Sequence, residues 1–216
     1  MAEPLPFAVL ISGRGSNMLA LAQAATDGKI AGRIVTVISD RADAAGLDAA
    51  RRLGIPTEVV APAAGQDRAA YGRALTARIE ASGARLVVLA GFMRILDGEF
   101  VRHWQGRLLN IHPSLLPAWR GLHTHQRVLA AGERRHGCTV HFVTEELDAG
   151  PAVIQGRLQV LPGDGELTLS ARVQRLEHII FPLAVGWFAA GRLTWVDGGA
   201  RLDGLPLAQP VIEEAL

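Results

Sequence analysis

Between Phe7 and Gly91 the chain alternates short apolar runs with longer mixed stretches that end at glycine, and this alternation limits the folds open to it. "FAVLIS" (Phe7 to Ser12) reads as a buried strand, "GRGSN" breaks it, and "MLALAQAATDG" reads as a helix stopping near Gly28. "RIVTVISD" (Arg33 to Asp40) is rich in β-branched residues and predicts a second strand. A helix over "AAGLDAARRLG" stops at Gly54. A short strand follows at Thr57 to Val60, and "DRAAYGRALTARIEASG" predicts a third helix. "RLVVLAG" (Arg85 to Gly91) is apolar almost without interruption, as a strand covered on both faces must be. Such alternation predicts an α/β fold: a Rossmann-like, doubly wound, mostly parallel sheet with helices on both faces.

The second half is less regular. "GRLLNIH", "GCTVHFVT" and "PAVIQGRLQV" read as strands, and "GLHTHQRVLAAG" as a helix. "LTLSARVQRLEHIIFPLAVGWFAAG" predicts a long amphipathic helix with a kink at Pro182, and "RLTWVDGGARLDG" a hairpin turning at Asp197-Gly198-Gly199. With no repeat or long linker, residues 1–216 are expected to form one domain. Its lobes are 1–105, carrying a phosphate loop, and 106–216, carrying the remaining site elements.

Composition excludes several classes. The chain has 22 basic and 21 acidic residues and no basic stripe, so a nucleic-acid partner is not expected. No apolar run is long enough to cross a bilayer, and no basic flank precedes the first one, so a cytoplasmic protein without a membrane partner is expected. The lone Cys138 leaves no internal disulfide and reads as a core strand residue.

Two features carry chemistry. The "SGRGSN" loop joins a strand to a helix N-terminus, where unpaired N–H groups and the helix dipole collect anions. It is neither a Walker A loop nor G-x-G-x-x-G, since Met18 stands at the third glycine position. A tight turn, a site for one phosphate monoester, and a dinucleotide site with Asp40 as the ribose acid all remain open. The second feature is "LLNIHPSLLP": on a strand, Asn110 and His112 project from one face. Asp148 follows in "TEELDAGP", a loop with Gly150 as a candidate hinge. A histidine oriented by a carboxylate suits proton transfer, and an asparagine amide can donate to an oxyanion. No G-x-S-x-G elbow supplies a serine nucleophile. A capped strand end with a core histidine is the structural alternative. A metal site using His112, His123 and His125 is the third, although "HTH" at a helix start chelates poorly.

Four stretches, "AVLISGRGSNMLAL", "VVLAGFMRIL", "LLNIHPSLLPAWRGLHTHQRVL" and "GCTVHFVTEELDAGP", occur in one order over Phe7 to Arg192. In this the chain resembles the phosphoribosylglycinamide formyltransferases of the folate-dependent formyltransferase superfamily. The resemblance implies formyl transfer from 10-formyltetrahydrofolate, as co-substrate, to the amine of glycinamide ribonucleotide, with no metal. It implies Asn110, His112 and Asp148 as the catalytic trio. Gly15, Ser16 and Asn17 become a loop for a phosphate monoester, Glu177 a contact to glycinamide, and Asp40 loses its cofactor reading. Folate-binding positions are implied at Arg68, at Met93, Arg94, Ile95 and Leu96 through backbone groups, and at Asn110. A monomer or a homodimer fits equally.

Gln174 departs from the lysine that many members of the family carry there, and Arg175 is the adjacent cation that can replace it. "PAWRG" is also similar to methionyl-tRNA formyltransferases, which carry a further C-terminal domain. Formyltetrahydrofolate hydrolases share the trio but carry a further N-terminal domain.

Overall fold

The computed structural model describes residues 3–215; residues 1, 2 and 216 of the expected domain lie outside the described residues. The expected alternation is present: β1 (Leu5–Ile11), α1 (Ser16–Thr26), β2 (Gly32–Ser39), α2 (Ala45–Arg52), β3 (Thr57–Val59), α3 (Arg68–Ala81) and β4 (Leu86–Leu89). The second half contributes α4 (Gly98–His103), β5 (Leu108–His112), α5 (Thr124–Ala130), β6 (Arg135–Phe142), β7 (Ala152–Gln159) and α6 (Glu166–Ala189). It closes with β8 (Leu193–Val196), β9 (Gly199–Leu202), β10 (Leu205–Pro206) and β11 (Val211–Glu214).

Among the described residues one eight-stranded sheet runs β11-β7-β6-β5-β4-β1-β2-β3. Pairing is parallel from β3 across to β5 and again between β7 and β11, and antiparallel on both sides of β6. Both faces of the sheet are covered. Along β1, Phe7, Val9 and Ile11 enter one core with α1 and α6, while Ala8 and Leu10 enter the other with Tyr71, Leu75 and Trp104. The period of two thus appears as two separate apolar cores. The fold is Rossmann-like, as expected, and β4 pairs with β5 across the boundary at residues 105 and 106.

α6 runs 24 residues as one helix with Pro182 inside it, since its packed apolar face outweighs one missing N–H. Two local details differ from expectation. The hairpin turns at Asp197-Gly198, both at positive φ, and Gly199 already pairs with Val196. This is the two-residue turn whose twist suits a hairpin. α4 was not legible: its six residues carry too little periodicity, and only Asp97, accepting from Glu99 N–H at 3.0 Å, marks its start.

Candidate active site

The loop after β1, the N-terminus of α1, the loop after β4 and one face of α6 enclose a cavity of about 500 Å³. Gly15 sits there in the left-handed region at φ 75°, and an added Cβ would lie 2.9 Å from Gly46 Cα. Backbone touches backbone at this turn, so only glycine fits. Ser16 Oγ accepts from Gln174 Nε2 at 3.0 Å. Asn17 is turned inward: it is buried, and its Nδ2 donates to Glu177 Oε2 at 2.8 Å. Burial pushes the Glu177 carboxyl above its ordinary range, and the bond from Asn17 opposes that shift.

Arg175 does not replace the missing lysine. It is exposed and not part of the cavity wall, because a one-residue step turns a helix side chain by about 100° away from Gln174. The cation on this wall is Arg14, exposed at the mouth of the cavity.

The second cluster is built at the end of β5. Asn110 pairs with His141 in the register of β5 and β6, and Asn110 Nδ2 lies 3.0 Å from His141 Nε2. His141 Nδ1 lies 2.8 Å from the Phe142 carbonyl oxygen, which can only accept, so Nδ1 carries the proton and Nε2 accepts from Asn110. Burial pushes the His141 pKa down to about 4.

His112 is buried on the same face of β5 as Asn110. Its Nε2 lies 3.0 Å from the Trp119 carbonyl oxygen and its Nδ1 3.4 Å from Asp148 Oδ2. Both neighbours are acceptors, so the ring is set to donate from either nitrogen. Asp148 holds a left-handed φ of 51°, and its Oδ2 also accepts from Gly121 N–H at 2.9 Å. The 113–121 loop is fastened from below. Thr139 Oγ1 donates to Ser114 O at 2.6 Å, and Gln155 Nε2 donates to Leu116 O at 2.7 Å. Gly150, the candidate hinge, is buried, and a Cβ there would collide with the Phe142 carbonyl, so close packing alone already requires glycine at this position.

Arg94, Ile95 and Leu96 face Asn110, His141 and Asp148 across a second cleft. Met93 instead lines the first cavity, with its side chain 67% exposed. Arg68, the first residue of α3, is exposed and makes no hydrogen bond or ion pair among the described residues, so the structure does not bring it to either cleft. Two segments separate the cavities and belong to both. Asn110 lines one while Ile111 and Pro113 line the other, and Gly91 and Met93 line one while Arg94 to Leu96 line the other. Asn110 and Asp148 thus line the second cleft, and buried His112 lies behind it between Ile111 and Pro113, which line the first cavity.

The remaining candidates are accounted for elsewhere. His125 Nδ1 lies 2.9 Å from His136 Nε2, and His123 is exposed at the start of α5. Among the described residues no group of three His, Cys, Asp or Glu side chains is arranged to hold a metal. Cys138 is fully buried, and burial pushes its thiol well up, away from nucleophilic use. Two larger grooves of about 670 and 660 Å³ flank α1; their walls are mainly apolar, with Arg33 on the first and Asp27, Lys29 and Arg192 on the second, and neither holds Asn110, His112 or Asp148, so volume alone does not mark the site. Sequence reasoning missed His141, the Trp119 carbonyl and Arg14. The signal for the first lay in "CTVHFV", where a histidine breaks an otherwise apolar strand.

Comparison with known proteins places these features in context. The formyl transferase family model matches residues 5–185. The phosphoribosylglycinamide formyltransferase of Escherichia coli (strain K12) is 51% identical over 196 residues, covering 91% of this chain and 92% of that protein. The structure of the phosphoribosylglycinamide formyltransferase of Coxiella burnetii, in complex with CHES, superposes with a TM-score of 0.92 at 48% identity, covering 97% of this chain and 100% of that one. A formyltetrahydrofolate deformylase from Pseudomonas putida KT2440 has a TM-score of 0.83 at 26% identity, covering 92% of this chain and 70% of that one.

Proposed function

The chain belongs to the formyl transferase family, and from that membership we propose that it moves the formyl group of 10-formyltetrahydrofolate to the amine of glycinamide ribonucleotide. The products are formylglycinamide ribonucleotide and tetrahydrofolate, a step of purine biosynthesis. One observation supports this reading: Asn110 and Asp148 line one cleft, His112 lies 3.4 Å from Asp148, and Ile111 and Pro113, on either side of His112, line the other cavity. The cavity at Gly15, Ser16 and Asn17 would hold the phosphate and ribose, with Glu177 towards the glycinamide. The cleft at Arg94, Ile95 and Leu96, with Met93 beside it, would hold the pterin, and Arg68 is assigned to folate on family resemblance alone.

In this proposal the substrate amine attacks the formyl carbon, forming a C–N bond and moving the carbonyl electron pair onto oxygen. Asn110 would donate its second amide hydrogen to that oxygen, and His112, kept by Asp148 at Nδ1, would turn its Nε2 hydrogen to it from the Trp119 carbonyl. Collapse breaks the bond to folate N10, which gains a proton as the amine loses one. His112 passes that proton while Asp148 holds its ring. The same proposal includes one 1–216 domain, a monomer or homodimer, small-molecule substrates alone and a cytoplasmic location. Among the described residues no helix is long and apolar enough to cross a membrane.

The test is an absorbance assay for formyl loss from 10-formyltetrahydrofolate with and without glycinamide ribonucleotide. Loss that depends on the ribonucleotide is expected. Equal loss without it would replace transfer by hydrolysis, with water as the nucleophile.

A further inference from the structure

Asp40, the acid directly after β2, is the sequence feature that formyl transfer leaves without a role, and the structure gives it a partner. Its side chain is only 4% exposed, and its Oδ2 accepts from Arg94 Nε at 2.8 Å. Its other oxygen, Oδ1, is buried with no protein partner among the described residues. The nearby Tyr71 hydroxyl donates elsewhere, to Val60 O at 3.0 Å. Among the described residues Arg94 is thus the one side chain bonded to this buried carboxylate, while half of Arg94 remains exposed towards the cleft.

Arg94 belongs to the loop between β4 and α4, and that loop is fastened at a second point. Met93 N–H donates to Ser12 Oγ at 2.8 Å. Ser12 directly follows β1 and Asp40 directly follows β2, so the residues just beyond two neighbouring strands hold successive residues of one loop. Phe92 and Leu96 anchor the two ends of the loop on the core, but between them Met93 and Ile95 are 67% and 57% exposed, and no helix or strand runs through 92–97. An open loop that presents backbone groups to a ligand binds well only if its conformation is fixed beforehand.

We propose that Asp40 is a positioning residue for folate: by holding the Arg94 guanidinium it sets residues 93–96 in the conformation that receives the pterin. This rests on the folate assignment made above. Asp40 touches no reacting atom, so its loss acts on folate affinity and leaves the chemical step alone. The Nε end of Arg94 is occupied by Asp40, which turns the two terminal nitrogens outward as donors for the ligand.

The experiment measures the Kd of tetrahydrofolate by titration calorimetry, with steady-state kinetics, for wild type, Asp40→Ala and Asp40→Asn. Asp40→Ala should weaken tetrahydrofolate, and raise the KM of the formyl donor, by about tenfold, the loss of one charge-assisted hydrogen bond. The KM for glycinamide ribonucleotide and the kcat should stay within about twofold. Asp40→Asn keeps an acceptor for Arg94 Nε and should recover part of the affinity. If wild type binds tetrahydrofolate and Asp40→Ala binds it as tightly, the strut is overturned and the folate cleft stands. Equal loss of both substrates and of melting temperature, unrelieved in Asp40→Asn, also overturns it, in favour of a merely structural charge pair. If wild type fails to bind tetrahydrofolate, the folate assignment falls and the Asp40 role with it.

Discussion

Asn110 and His141 face each other across antiparallel β5 and β6, with the amide nitrogen of the first 3.0 Å from the ring Nε2 of the second. Because His141 gives its own proton to Phe142 O, it fixes which way the Asn110 amide points. His141→Leu removes the acceptor and lets the amide rotate. It should lower kcat on the order of 10- to 100-fold, a cost typical of a misplaced group, with both KM values little changed. His141→Gln retains an acceptor and should recover part of the rate. Unchanged kcat in His141→Leu would mean that Asn110 is oriented by something else.

His112→Ala removes the general acid–base and should reduce kcat by about 10²–10⁴-fold while tetrahydrofolate still binds. Single-turnover rates and a binding titration separate the two effects. A variant retaining a tenth of the wild-type rate would remove His112 from the proton path.

Asp148 combines a left-handed backbone with a buried carboxylate. Asparagine tolerates that φ better than alanine does, so Asp148→Asn should keep most of the melting temperature and lose the charge beside His112. Its kcat should fall at least 100-fold, of the same order as loss of the acid–base itself. Asp148→Ala should lose comparable activity and about 1 kcal/mol more stability from backbone strain. Parallel melts and kinetics of the two variants check this.

Arg14 and Gly15 give a prediction confined to one substrate. Arg14→Gln should raise the KM for glycinamide ribonucleotide about tenfold without moving the folate KM, since it withdraws the cation at that mouth. Arg175→Gln should do nothing measurable. The reverse pattern would return the phosphate contact to α6. Gly15→Ala should weaken the same substrate and also destabilise the fold, because its Cβ meets Gly46.

Stability should fall on mild acidification. Burial holds His136 and His141 at about 4, below the ordinary histidine value of 6.5. Between those values the unfolded chain binds protons that the folded one refuses. Their contribution is therefore complete above pH 6.5 and is lost as pH falls towards 4, by about 1.4 kcal/mol per pH unit for each ring. Urea midpoints at pH 7, 6 and 5 should show this, with a shallower decline in His136→Gln. An identical decline in that variant would remove His136 from the account.

What the chain's order reveals follows from how local each signal is. β1, β2 and β4 declare themselves because both faces are buried, which forces continuous apolar runs such as "LVVL". Asn110 and His112 were legible as a pair because a strand period of two needs no tertiary knowledge. His141 was not, since its meaning depends on the β5–β6 register, nor was β11, whose four residues form a strand only by docking on β7. Arg175 misled because adjacency along a helix is the opposite of adjacency in space. Asp40 misled for a related reason: its place after β2 suits a ribose contact, while its partner lies 54 residues away.

β11 also has a consequence for handling the protein. It covers the outer edge of β7 through pairs from Val211–Ile154 to Glu214–Arg157, and β7 carries the Gln155 that braces the 113–121 loop. Trimming the chain before Val211 would expose a row of unpaired N–H and C=O groups, which is a template for another copy to add onto. With β11 in place the sheet ends in a strand of four residues, where β7 alone would leave eight.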